Sequence, residues 1–164
     1  WIASNGAKGA PAKLSGVSLA HVDLSGKDLR GAELHGTDLS GADLAGCQLM
    51  LANLSGARLR GTNLRRADLS GANLKKADLS EACLQEAKLA AAKMRQNADP
   101  SAVKPWPANL AGAVLKGCNL DRADLREANL QHADLRGASF EGTNFTGADL
   151  TAAKLDRPMA VNAS

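Results

Sequence analysis

The sequence predicts an all-β solenoid, and three observations predict it. Leucine recurs at every fifth residue along nearly the whole chain of 164 residues. A small residue, usually alanine, stands two positions before each leucine. Aspartate or asparagine lies between them, and serine, lysine, arginine or glycine follows. A period of five fits neither an amphipathic helix, with its period of about 3.6, nor a flat strand, with its period of about 2. On a helix these leucines would smear around the whole circumference. Self-similarity at a short fixed period instead means stacked repeats, each burying its apolar side only against its neighbours.

Each position of the repeat has a physical reason. Taking the leucine as the centre, seventeen centres run at strict spacing from Leu14 to Met94, and ten more from Leu110 to Leu155, with Phe140 and Phe145 as variants. Only Leu51 among the leucines lies outside this register. The small position is alanine in nineteen of the 27 repeats, varied by Val17, Val22, Thr37, Cys47, Thr62, Cys118 and Thr143, with Lys27 as the outlier. Small and central residues two apart both point inward in an extended segment, so the residue between them points out. Glycine after the centre allows the positive φ that a corner needs, and polar side chains there hydrogen-bond turn backbone.

Ala67-Asp68-Leu69-Ser70-Gly71 followed by Ala72-Asn73-Leu74 shows the motif in full. It resembles the pentapeptide-repeat family, with its A-(D/N)-L-x-x units, over about nine tenths of the chain. The resemblance implies a right-handed quadrilateral β-helix with four repeats per coil. The repeats would then make about seven coils around a narrow bore filled by Leu and Ala.

Composition fits one such domain. Aromatics are only 2% and tyrosine is absent, which suits a uniform bore better than an ordinary core. A net charge of +3 is too small to imply a polyanion partner. No apolar run approaches the roughly 20 residues of a membrane span. The three cysteines give no disulfide framework or metal spacing, and free thiols point to the cytoplasm. Because the sequence begins at Trp1 rather than Met, a processed protein or a domain of a larger chain is expected, with any targeting segment out of view.

Taken in order, residues 1–11 have no clear period. Trp1 and Ile2 either cap the open end of the solenoid or belong to a linker. The first repeat block covers residues 12–94. Within it, Lys27 falls at an inward position, where its stem must snorkel or the register must distort. Asp23, Asp28, Glu33, Asp38 and Asp43 occupy successive outward positions. The sign then flips over residues 57–76, where Arg58, Arg60, Arg65, Arg66, Lys75 and Lys76 face Asp68 alone, a local charge of +5. This belt is either an anion-binding or partner-binding surface or a solvated face that keeps a repetitive rod monomeric. Met50 and Leu51 break the polar pattern and are a candidate partner patch, set against the ordinary occurrence of isolated surface apolars.

Residues 95–109 interrupt the register. Met94 and Leu110 are one residue further apart than three repeats allow. Pro100, Pro105 and Pro107 cannot donate to a strand ladder. An ejected loop carrying Lys104 and Trp106 outward is expected, with a degenerate coil as the alternative. Such a loop is the best candidate for recognition, because binding residues favour loops on rigid scaffolds. The second block covers 108–157, where Phe140 and Phe145 widen or close the bore. Residues 158–164 form a tail.

Catalytic and cofactor signatures are missing. His21, His35 and His132 all follow a centre, on the outside, without metal spacing or a nucleophile partner. A filled rod offers no concave pocket. The reading is therefore a non-enzymatic rod without cofactor that binds a protein partner, as a scaffold or adaptor. Nucleic acid is disfavoured because the belt lacks stacking aromatics. The rival, drawn from the resemblance, is a DNA-mimicking protein that binds type II topoisomerases. This chain departs from that type in its positive total and basic middle.

Overall fold

The computed structural model describes residues 10–96 and 99–156. Among them there is no helix. The chain bonds to itself through parallel bridges twenty residues apart: Lys13 to Glu33, Ser18 to Asp38, Asp23 to Asp43 and Asp28 to Gln48. The same four columns continue upward, so each twenty-residue tier lies on the one before it. The bonding at one step is representative. The Leu39 amide donates to the Arg58 carbonyl at 2.7 Å, and the Arg58 amide donates to Thr37 at 2.9 Å.

Between bridges the chain turns. The Ala42 amide donates back to the Leu39 carbonyl at 3.0 Å, closing a four-residue turn. The third residue of every such turn has positive φ, as a type II turn requires. Glycine fills it at many corners, but His21, Leu51, Arg66, Lys76, Glu81 and Glu86 also hold φ between 57° and 61°. The bridge residue steadies the same turn. Asp68 Oδ1 accepts the Ser70 amide at 3.0 Å, and Asn109 Oδ1 accepts that of Ala111 at 3.0 Å. The Asp/Asn of the motif therefore faces outward and also satisfies the first free amide of the corner.

The core is the column of centres with the column of small residues beside it. Leu29, Leu49, Leu69, Leu89 and Leu125 are fully buried in one such column, with Ala67 and Ala87 next to them. Each buried leucine contributes on the order of 1.5–3 kcal/mol. Polar variants at the small position carry their own partner. Thr37 and Thr62 donate to the carbonyls of Leu14 and Leu39 at 2.7 Å, and Cys47 does the same to Leu24 at 2.8 Å. Ala, Thr and Cys interchange there because hydroxyl and thiol both reach a carbonyl 23 residues back.

Lys27 leaves the register intact. Its amide donates to Leu24 at 3.1 Å and its carbonyl accepts from Gln48 at 3.0 Å, while its side chain is half-buried in the first tier. Val17 and Val22, inward positions of that tier, are 43% and 38% exposed. At the other end the Phe140 and Phe145 rings meet edge to face at 6.2 Å. The cap assigned to Trp1 and Ile2 and the tail 158–164 lie outside the described residues.

The bridges then jump. Lys88 still pairs with Asp68, but Asn73 pairs with Asn109 and Asp78 with Val114. Sixteen residues thus leave the ladder between Leu89 and Leu110, which are successive centres. They form an antiparallel pair, β1 (Ala92–Gln96) and β2 (Asp99–Trp106). Met94, which spacing alone places among the centres, belongs to β1. Pro100 and Pro105 belong to β2 and occupy no central position.

Candidate partner-binding surface

The β1–β2 excursion leaves and rejoins at one corner of the ladder. That corner column reads Gly31, Leu51, Gly71, Ala91 at intervals of twenty. Gly71 is buried, with φ +65°, and a Cβ built on it would meet Ala92 Cβ at 2.8 Å, Leu51 Cδ2 at 2.9 Å and the Trp106 carbonyl at 3.1 Å. The foot of the excursion, where Ala92 pairs with Trp106, thus stands on Gly71 beside Leu51. Only glycine leaves room for it.

Above that foot the surface is open. Trp106 is 55% exposed, and Lys93, Lys104, Pro105 and Pro107 are exposed around it. Met50 and Leu51 are half-buried. Of the residues singled out from sequence, the structure brings Leu51 and Trp106 to one place and sets Met50 one residue before that corner. Gly71 and Ala92 were not visible as part of this surface from sequence. The signal that would have found Gly71 is its place twenty residues above Leu51.

The basic belt is arranged differently. Elsewhere an aspartate two residues before an arginine neutralises it locally. Arg30, Arg126 and Arg136 sit on Asp28, Asp124 and Asp134 at 2.6–2.7 Å. Those hydrogen bonds hold the three carboxyls below their ordinary range. In the belt the residues two before Arg60, Arg65 and Lys75 are Arg58, Asn63 and Asn73, and those two before Arg58, Arg66 and Lys76 are Gly56, Leu64 and Leu74, so none of the six has a local carboxylate at that spacing. The arginines reach to neighbouring tiers instead. Arg60 meets Glu81 at 3.0 Å, Arg66 and Arg65 meet Glu86 at 2.8 and 3.6 Å, and Arg58 stands 4.0 Å from Asp38. The hydrogen bond from Arg66 holds the Glu86 carboxyl down. Lys75 and Lys76 are exposed at the next corner. The local charge of +5 is therefore partly offset by acids about twenty residues away along the chain, on either side, a pairing that the linear sequence hides.

His21, His35 and His132 are exposed, and among the described residues no cluster of His, Cys, Asp or Glu is placed to hold a metal. Burial pushes the Cys47 thiol up to about 11 and the Cys118 thiol up to about 12, which keeps both protonated. Cys83 is half-buried at a bridge position. No helix among the described residues is long and apolar enough to cross a membrane.

The class of this fold is a ladder of five-residue units carrying one inserted hairpin. The family described as pentapeptide repeats matches residues 12–49, 52–90, 108–142 and 123–157, in eight copies. The chain belongs to the pentapeptide repeat family. Among solved structures it is similar to alr5209, a pentapeptide repeat protein from Nostoc PCC 7120, with 30% identity over 87% of this chain and 99% of that one and a TM-score of 0.41. It is also similar to AT2G44920, a pentapeptide repeat protein from the Arabidopsis thaliana thylakoid lumen, with 33% identity over 78% of this chain and 72% of that one and a TM-score of 0.35. QnrB1, a plasmid-mediated fluoroquinolone resistance protein, is 18% identical over 89% of this chain and 92% of that one, with a TM-score of 0.40. No curated protein sequence matches the chain.

Proposed function

We propose that this chain is a non-catalytic pentapeptide-repeat rod that binds a protein partner through its β1–β2 excursion, as a scaffold or adaptor domain. The ladder is read as a right-handed, four-sided β-helix of about seven coils. One observation carries the functional reading: a tryptophan 55% exposed on a hairpin whose foot is seated on a buried glycine. Large aromatic side chains dominate protein interfaces, and burying one there is among the strongest single contributions. Leu51 and Met50 extend the apolar part of this surface. Lys104 and the belt, Arg58, Arg60, Arg65, Arg66, Lys75 and Lys76, are the basic groups of this reading and favour an acidic partner. The three free thiols suit a reducing cytoplasm, and the charged outer columns suit a monomer.

DNA mimicry of a topoisomerase substrate remains the rival, and it asks for a long negative stripe. The bridge columns do not favour it. Asp38 is followed upward by Arg58, Asp28 by Gln48 and Glu33 by Asn53, and among the described residues only Asp23 and Asp43 stack directly as two acids. Affinity capture from a cell extract tests the main reading, with the wild-type chain, Trp106→Ala and a chain lacking residues 92–107. Both variants should recover less of the same partner. Equal recovery by all three would remove the excursion from recognition.

A further inference from the structure

The excursion is a two-stranded sheet, and a two-stranded sheet has two outer edges. They are not equivalent. Lys93 pairs with Pro105, and Met94 pairs with Lys104. In an antiparallel ladder, alternate pairs exchange both hydrogen bonds while the pairs between them turn their backbone groups outward. Pro105 has no N–H, so the Lys93–Pro105 pair cannot be one that exchanges two bonds. The bonding pairs are then Ala92–Trp106 and Met94–Lys104. The N–H and C=O of Lys93 and Arg95 point to the free edge of β1. Among the described residues, no backbone hydrogen bond joins Lys93 to any part of the chain outside the hairpin.

The outer edge of β2 is guarded, because Pro105 offers no donor there and Pro100 interrupts the same strand. The β1 edge has no proline. An edge left open beside one closed by proline is a template for an added strand. Charge indicates what the strand carries. Residues 92–107 hold Lys93, Arg95 and Lys104 against Asp99, and Lys93 and Lys104 are exposed. Opposite charges facing each other across neighbouring strands attract, and like charges repel.

We propose that the β1 edge, Ala92–Gln96, takes an extended, acidic segment of a partner protein as a third strand of the excursion sheet. This rests on the excursion being the recognition element, and it adds the mode of binding and the chemistry of the segment. Main-chain bonds to Lys93 and Arg95 hold the strand, and carboxylates on alternate residues meet the face of the sheet that carries Lys93, the face opposite to that of Lys104.

The test uses the whole chain and a fluorescent peptide that alternates glutamate with threonine or valine, read by anisotropy. Binding to the wild type should weaken with added salt. Lys93→Pro deletes the outward N–H without removing a bond between β1 and β2, and should weaken binding about tenfold or more. The same peptide N-methylated on the amides facing β1 should lose binding to the unaltered protein, which covers the case in which Lys93→Pro disturbs the hairpin. No saturable binding of the peptide by the wild type would overturn the proposal. So would affinity unchanged by both Lys93→Pro and N-methylation. If Trp106→Ala lowers partner capture while Lys93→Pro does not, the excursion keeps its role and the strand addition alone fails. If Trp106→Ala has no effect on capture, the parent reading fails.

Discussion

Leu64 and Trp106 mark a contrast within one chain. Leu64 is fully buried between Leu44 below and Leu84 above, and its surroundings are set by residues twenty positions away. Trp106 is 55% exposed, on a strand paired only with its sequence neighbour. In the ladder every residue is held by position in a lattice. The excursion meets that lattice at its foot on Gly71. The difference separates what keeps the molecule folded from what it can present to others. The largest effects should therefore come from changes inside the ladder. Leu64→Ala is expected to cost about 2–5 kcal/mol, because rigid neighbours above and below cannot collapse into the cavity. Removing residues 92–107 joins Ala91 to Ala108 and restores strict five-residue spacing between Leu89 and Leu110. That deletion should leave the urea midpoint close to the wild-type value. A deletion that unfolds the chain, or a Leu64→Ala variant as stable as the wild type, would reverse the contrast.

The next effect belongs to the point where the two regions meet. Gly46 and Gly71 occupy the same turn position with nearly the same φ, +65° in each. A Cβ at Gly46 meets nothing within 4 Å, whereas one at Gly71 enters the space of Ala92, Leu51 and Trp106. Gly46→Ala should therefore cost only the left-handed backbone term, about 1–2 kcal/mol. Gly71→Ala should cost that plus overpacking of about 1–3 kcal/mol. In the chain lacking 92–107 the gap between the two variants should shrink, leaving Leu51 as the remaining obstacle. A gap of the same size with and without the excursion would show that its foot is not seated on Gly71.

Much of this was legible in the sequence, for a physical reason. A lattice that repeats every five residues writes its inward and outward positions into composition, so the leucine and alanine columns could be assigned without coordinates. Thr62 and Cys118 could be placed as well, although their bonds to Leu39 and Leu79 could not. What stayed hidden depends on the twenty-residue stacking. Glu86 lies far from Arg66 in the chain and 2.8 Å from it in space. Met94 keeps the spacing of a centre but sits in β1, because spacing does not record where the chain departs from the ladder. The seat of the excursion on Gly71 was equally invisible, since a corner glycine looks the same at every turn.

Acid should separate the regions by charge. Asp28, Asp124 and Asp134 are held below their ordinary range by arginine hydrogen bonds, and all three lie in the ladder. The folded state then binds fewer protons than the unfolded state across that range. Their contribution is complete above about pH 4, the ordinary value of a free carboxyl, and is lost as pH falls through the folded values. Thermal midpoints should stay level from about pH 7 to 5 and fall below about pH 4. Asp134→Asn should flatten part of that fall, because Asp134 also faces Lys116 at 3.5 Å. A midpoint that rises on acidification would contradict the sign.

The smallest effect is expected where the sequence shows its most conspicuous charge. Arg65, Arg66 and Glu86 are solvent-facing, so their pairing is screened and contributes little to stability. Glu86→Gln should leave the thermal midpoint unchanged within error. Its effect should appear in the field instead, since removing that carboxylate uncovers the Arg65 and Arg66 guanidinium groups. If the belt assists an acidic partner, Glu86→Gln should speed association at low salt, and the gain should vanish as salt approaches a Debye length shorter than the belt. A large loss of stability in Glu86→Gln would mean that the belt holds tiers together. Unchanged association at every salt concentration would mean that the charge only keeps the rod solvated.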